Sequence, residues 1–206
     1  MLSYTTIIDI SRPIHEGMML APGDPAVRFV KNVQPQWVDT VISMNVHTGT
    51  HVDAPLDVFP DARSIDRVKL DRLIGPCRVL DMMHVVECIE IMDLETLDIK
   101  KGERLVFKTR NSVRGYKEFF ADHVYMSIEA AGYLVDTGVL LVGFDYLSID
   151  KGDEILTHKV LLGSEVALVE NLNLAKVDPG SYGLVILPLR LVDLDGAPAR
   201  AVLLKD

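Results

Sequence analysis

The 206-residue chain has little cysteine: Cys77 and Cys88 are its two, and they form no Cys-x-x-Cys pair. That excludes a disulfide framework and a thiolate zinc ribbon. Each is expected as a small buried hydrophobe, and a reducing, cytoplasmic setting follows as the default. Aromatic residues are only 6% of the chain, with Trp37 the one tryptophan, too few for a base-stacking platform. Positive charge is short as well: 21 Lys and Arg stand against 30 Asp and Glu, for a formal net charge of −9. No basic cluster offsets this, so neither nucleic acid nor an anionic membrane surface is an expected partner. Long apolar runs are missing; stretches such as Val139-Leu140-Leu141-Val142 fall far short of the ~18 residues a membrane span needs. The start, Met1-Leu2-Ser3-Tyr4-Thr5-Thr6, has no basic n-region and leads into a strand, unlike a signal peptide. Low-complexity segments, repeats and linkers are absent.

What the chain does have is apolar bulk: 49% hydrophobic residues and a mean hydropathy of +0.22. The length suits a single domain spanning 1–206, and the excess apolar surface suits a subunit interface. Tyr4–Ile10, Val27–Val33 and Thr40–Val46 read as strands, the last two with alternating faces. Ser64–Leu73 reads as a short helix, and Cys77–Leu80 and Arg104–Lys108 as buried strands. Ser127 is a good N-cap for a helix through Asp136 that Gly138 ends, followed by a strand over Val139–Phe144. A second short helix over Ile155–Leu162 and strands over Val166–Val169, Gly183–Leu187 and Ala199–Leu204 complete the pattern. Strands outnumber helices, so the expected class is β-rich α/β.

The chemistry concentrates in residues 47–57, His-Thr-Gly-Thr-His-Val-Asp-Ala-Pro-Leu-Asp. Imidazole and carboxylate together are a ligand set for zinc, manganese or iron(II). In an extended strand His51 and Asp53 share a face, roughly 6.6 Å apart, so both reach one ion. His47 would lie about 13 Å from His51 in a flat strand, so the chain must fold back between them. Thr48, Gly49, Thr50 and Val52 are poor helix formers. The better reading is a strand over Thr40–Val46 ending in a turn at Thr48-Gly49-Thr50, with Gly49 free to take φ > 0 and Pro55 stopping further strand pairing. Two ordinary histidines in a polar turn are the competing reading, and the joint pattern outweighs it. Downstream, His158 and Glu170 are candidates for more ligands; Glu170 ends the apolar run Val166-Ala167-Leu168-Val169 and faces a sheet rim.

Several residues have plainer readings. His15 and Asp24 sit in the Pro/Gly-rich loop Ser11–Pro25 and are substrate-pocket candidates. Met18-Met19-Leu20 is a pocket wall or core. Trp37 stacks on an aromatic substrate or seals an interface. His84 and His123 lie in polar stretches and are expected at the surface. Lys151-Gly152-Asp153 reads as a turn.

Together these residues resemble the cyclase-type metal-dependent hydrolases, the family that includes bacterial kynurenine formamidase and isatin hydrolase. The family hallmark, His-x-Gly-Thr-His-x-Asp-x-Pro-x-His, is matched by His47, Gly49, Thr50, His51, Asp53 and Pro55. Asp9–Met18, Pro22–Pro25, Gly143–Asp150, His158–Leu162, Glu170–Leu172, Leu187–Arg190 and Gly196–Ala201 resemble further family segments. The resemblance implies a swivelling β/β/α-type fold and a homodimer or homotetramer. It implies that His47, His51 and Asp53 hold one ion, zinc or manganese, and that Asp53 bridges to a second held by His158 and Glu170.

One position departs: the last His of the hallmark is Asp57 here. In formamidase-type members that His is implied to act as a general acid/base. Three roles are open to Asp57: base, further carboxylate ligand, or hydrogen-bond partner of a ligand histidine. The leading expectation is hydrolysis of a small amide, an N-formyl arylamine or a cyclic amide, with Asp57 moving the proton and Thr50 or the backbone near Gly49 donating to the oxyanion. Lactone hydrolysis, cyclisation or dehydration on the same site is the second expectation, and a metal-loaded protein without turnover the third.

Overall fold

The computed structural model describes residues 4–152 and 154–205. In chain order the elements begin with β1 (Thr6–Asp9), β2 (Arg28–Val33), β3 (Val38–Ser43), β4 (His51–Asp53), α1 (Leu70–Leu73), β5 (Ile74–Asp81) and β6 (Cys88–Ile89). They continue with α2 (Ile91–Glu95), β7 (Arg104–Lys108), α3 (Arg110–Arg114), β8 (Tyr125–Met126), α4 (Ile128–Thr137) and β9 (Leu141–Phe144). The last are α5 (Leu156–Gly163), β10 (Ala167–Glu170), β11 (Gly180–Pro188) and β12 (Gly196–Lys205).

The main sheet runs β1-β12-β11-β5-β7-β9-β10-β4, and β4 pairs back onto β12. That last pairing closes the strands from β12 through β4 into a barrel. Strands β5, β7, β9 and β10 are mutually parallel; β11, β12 and β4 run antiparallel to their neighbours. Alternation along each strand sorts the apolar residues into two cores. Val52, Val79, Val106, Val169, Leu184 and Leu203 fill the barrel. Leu80, Phe107, Val142, Phe144 and Leu168 point outward, where Leu134 of α4 and Leu161 of α5 cover them. This is the strand-rich α/β class expected from the sequence.

Helix α4 shows why the local reading worked there. The Ser127 hydroxyl accepts the Ala130 N–H at its start, and Gly138 ends it in the left-handed conformation at φ 81°. The chain then enters β9, all of whose residues are buried.

Other segments differ from expectation. The third strand ends at Ser43 rather than Val46, because Asn45 turns the chain early: its carbonyl accepts the Thr48 N–H and its side chain the His47 N–H. The single helix expected over 64–73 is a 3₁₀ turn at Ile65–Arg67 and the one-turn α1, separated by extended backbone at Val68 and Lys69. Among the described residues the hairpin β2–β3 pairs only with itself. No residue on either of its faces is fully buried, so the expected inside–outside alternation is not realised. Cys77 is buried and Cys88 half-buried, both as free thiols. Met18 and Met19 join the buried apolar residues. His84 is exposed as expected, but His123 is not: it is buried, stacked on Tyr146 and bonded through Nε2 to the Asp150 carbonyl. The residues before Tyr4, and Asp153 of the expected turn, lie outside the described residues. Among the described residues no helix is long and apolar enough to cross a membrane.

Candidate metal centre

The site is built on β4, which spans three residues and is hydrogen-bonded on both edges. His51 lies opposite Glu170 of β10 and Pro198 of β12; Asp53 lies opposite Leu168 and Gly196. Val52 points into the barrel, so His51 and Asp53 point out of it, toward α5. Before β4 the chain folds back as the spacing requires. Gly49 takes φ 70°, and a Cβ there would sit 2.8 Å from Ile14 Cγ1. The fold-back sets the His47 ring edge-on to His51, 5.0 Å between centroids. Gly196 makes room for it: a Cβ there would lie 3.0 Å from His47 Cε1 and 3.1 Å from the Val52 carbonyl.

Helix α5 supplies His158 and the end of β10 supplies Glu170, both buried. His47 Nδ1 is 2.9 Å and His51 Nε2 3.3 Å from Asp53 Oδ1. His158 Nε2 lies 3.9 Å from Asp53 Oδ2 and 3.4 Å from Glu170 Oε1, and His51 Nε2 is 3.6 Å from Glu170 Oε2. Three sets of potential ligand atoms result among the described residues, His47/His51/Asp53, Asp53/His158/Glu170 and the less buried His47/Asp57/Asp195, each within 4.8 Å of one another. Asp53 belongs to the first two. Its Oδ2 is buried and has no hydrogen-bond donor, an arrangement that costs free energy unless a cation meets it. Imidazoles converging on carboxylates around that oxygen fit a divalent metal. All five residues singled out as ligands in the sequence are therefore together.

Two of the rings are also fixed in the tautomer a metal needs. His51 Nδ1 donates to the Gly49 carbonyl at 2.8 Å and His158 Nδ1 to Asp150 Oδ2 at 2.5 Å, leaving Nε2 of each toward the carboxylates. Without metal, burial opposes the charge of these imidazoles, but the carboxylates outweigh it. Asp53 and Asp195 bring His47 up to about 9, and Asp53 and Glu170 bring His51 up to about 10. His158 is also raised, by Glu170 and Asp150, against its burial. Burial favours the neutral form of Asp53, yet His51 and His47 hold its pKa well below the usual carboxylate range. Protons on the imidazoles thus supply the positive charge the buried carboxylates require.

The outer side of His47 is different. Its Nε2 is 2.9 Å from Asp195 Oδ2 and 3.6 Å from Asp57 Oδ1. Asp57 ends a 3₁₀ turn, Pro55–Asp57, that begins where Pro55 stops β4. Burial and the Asp53 charge push its carboxyl up to about 6. Asp195, directly before β12, was missed in the sequence.

The remaining expected residues are not gathered here. Thr50 is buried, and its hydroxyl donates to the Asn171 carbonyl at 2.6 Å while accepting the Arg12 N–H at 2.9 Å. Those bonds tie loops together and leave it no proton for a substrate, contrary to its expected oxyanion role. His15 is exposed and bonded to the neighbouring Glu16 carbonyl. Asp24 reaches the centre only indirectly, accepting from Asn45 at 3.4 Å, which in turn accepts the His47 N–H. Trp37 stands on the β2–β3 hairpin, 53% exposed.

Comparison with known proteins agrees with this geometry. The Cyclase family model matches residues 8–151. The kynurenine formamidase of Salinibacter ruber is 35% identical over 96% of both chains, and that of Bacillus cereus 32% identical over 95% of this chain and 96% of its own. The solved structure of a "Potential Metal-Dependent Hydrolase With Cyclase Activity" superposes with a TM-score of 0.89 at 36% identity, covering 98% of each chain. Isatin hydrolase A from Ralstonia solanacearum shares the fold, with a TM-score of 0.84 at 20% identity over 98% of this chain and 92% of its own. With the family model spanning most of the chain and the relatives nearly all of it, the chain belongs to the cyclase family of hydrolases.

Proposed function

We propose that the chain is a metal-dependent hydrolase of a carbon–nitrogen bond outside peptides, and that its substrate is an N-formyl arylamine of the N-formylkynurenine class. The observation that carries the reading is the buried Asp53 shared by two ligand sets. The similarity to kynurenine formamidases supports the substrate class. His47, His51 and Asp53 would hold one ion, and Asp53, His158 and Glu170 a second; the donor set suits zinc or manganese. Bound there, the ions would supply a water of lowered pKa and a polarised carbonyl.

The chain's own groups handle the proton. Asp57 stands at the rim, less than a quarter exposed and 3.6 Å from His47 Nε2, where a carboxylate can take a proton and give it back. It takes one from the water that attacks the formyl carbon. As the carbon–nitrogen bond breaks it returns that proton to the amine nitrogen, and formate and the free arylamine leave. The paired edges of β4 and the tautomer locks on His51 and His158 keep the ligands in place through this cycle. The reading also includes a homodimer or homotetramer built on the β2–β3 hairpin. Val30, Val33, Val38, Val41 and Ile42 are each more than half exposed on it, and a two-stranded ribbon is marginal alone in water. Trp37, on that ribbon, would face the second copy.

The test is to strip the protein of metal, reload it with Zn²⁺ or Mn²⁺, and assay N-formylkynurenine, cyclic amides and lactones. Metal-dependent formate release from N-formylkynurenine is expected. Turnover confined to lactones or cyclic amides, or none at all, would overturn the substrate assignment. A Val30→Lys/Val41→Lys variant should run at monomer mass in light scattering; an unchanged mass would move the interface elsewhere.

A further inference from the structure

We infer that Asp150 is the positioning residue of one half of the metal centre: its carboxylate sets ion affinity at Asp53/His158/Glu170 through the ring of His158, and does not act on His47/His51/Asp53. The inference rests on the metal-dependent reading above.

Asp150 is buried in the segment that follows β9, and its carboxylate accepts three bonds from one turn of α5. Oδ1 takes the Thr157 N–H at 2.8 Å; Oδ2 takes the His158 N–H at 3.1 Å and the His158 Nδ1–H at 2.5 Å. A helix cap needs only the backbone bonds. The ring bond is additional. It holds the proton on Nδ1 and leaves Nε2, 3.4 Å from Glu170 Oε1, as the nitrogen that an ion would take.

The neighbouring residue serves the same half. The Ile149 N–H donates to Glu170 Oε1 at 2.6 Å. Residues 149 and 150 therefore orient the two ligands that only the inner set uses. They are themselves pinned from the far side. The Met126 N–H donates to the Ile149 carbonyl at 3.0 Å, and His123 Nε2 to the Asp150 carbonyl at 2.8 Å. The buried His123, expected at the surface, thus helps hold the Asp150 backbone. The outer set has no such support from this segment: His51 Nδ1 uses the Gly49 carbonyl, and His47 lies between Asp53 and Asp195.

An Asp150→Asn substitution separates orientation from mere burial. With its amide turned to the ring, Asn would donate to Nδ1 and drive the proton to Nε2, the atom the ion needs. The experiment is equilibrium dialysis of the full chain against graded free Zn²⁺, with bound zinc counted by elemental mass spectrometry. In Asp150→Asn one zinc per chain should bind about 10–100-fold more weakly while the other keeps its wild-type affinity. In a His158→Ala background the same change should add nothing, because Asp150 acts through that ring. Asp150→Ser keeps a capping oxygen and loses the ring partner; it should show the same selective loss and covers the case in which Asn does not fold.

Wild-type zinc affinity in both variants would overturn the inference. So would equal weakening of both ions, or an undiminished effect in the His158→Ala background; each would leave Asp150 a structural cap. Wild-type protein that takes up no zinc or manganese would instead overturn the metal-dependent reading, and the inference with it.

Discussion

The inner set Asp53, His158 and Glu170 and the rim set His47, Asp57 and Asp195 each combine one imidazole with two carboxylates. Inside, every side chain is buried and each is held through one atom by a fixed partner: His47 on Asp53, Asp150 on His158, the Ile149 N–H on Glu170. At the rim, both nitrogens of His47 face carboxylates, no carbonyl fixes its tautomer, and Asp195 is 44% exposed. The low dielectric inside makes each partner strong and each loss costly; water at the rim screens the charges and supplies alternatives. A metal is best held by the first environment and a proton best moved by the second. On the proposed reading, ion binding would rest mainly on the interior and proton transfer on Asp57 at the edge.

The comparison breaks most sharply at His51. His51→Ala removes a buried ligand beside both Asp53 and Glu170, so bound metal and hydrolysis should fall together below detection. A variant with normal metal content and turnover would show that the interior does not bind the ions. Next comes Asp57. Asp57→Asn should lower kcat by about 10²–10⁴-fold with metal content unchanged, and Asp57→His, which restores the family hallmark, should retain turnover. Loss of metal in Asp57→Asn would make that residue a ligand and move the boundary between the two regions outward.

A subtler effect is expected with pH. His47 and His51 have pKa values raised from 6.5 to about 9 and about 10 in the metal-free fold. A raised folded pKa means that the stabilisation is complete below about 6.5, declines above it and is gone beyond about 10. Metal-free protein should therefore melt at progressively lower temperature from pH 7 to 10. Metal-loaded protein, in which ions replace those protons, should show a smaller decline. Parallel curves for the two forms would contradict the idea that protons stand in for metal. Smallest is Asp195→Asn. With a half-exposed partner it should change kcat by less than about tenfold and leave zinc affinity nearly as it was. An effect as large as that of Asp57→Asn would give Asp195 a place in the proton path.

How far the sequence revealed this site depended on whether the relevant contacts were local. His47, Gly49, His51 and Asp53 lie within one turn and one strand, so spacing alone required the chain to fold back, and it does, at Gly49. Helix α4 was legible for the same reason: Ser127 and Gly138 are signals read by the adjacent backbone. His158 and Glu170 carried weak signals by themselves and were recognised through the family pattern. Asp195 had none, and Asp150 stood only as the end of the family-like segment Gly143–Asp150; each gains its role from an imidazole on another element. Thr50 failed for the opposite reason. It sits in the motif, but the bend before β4 turns its hydroxyl to the Arg12 N–H and the Asn171 carbonyl. Over 83–126 the apolar run of β7 was read as a strand, whereas β6, β8, α2 and α3 are each five residues or fewer, too short for periodicity to register.

The position of β4 in the barrel has a consequence for biosynthesis. His51 lies opposite Glu170 on one side and Pro198 on the other. As the chain emerges from a ribosome, His51 is made 119 residues before Glu170 and 147 before Pro198, so neither of the strands that flank it exists when it appears. Contacts between such distant parts of a chain form late and slowly. Until β10 and β12 follow, the histidines and aspartate are therefore unanchored, and the candidate metal centre is assembled only when these later strands close on β4.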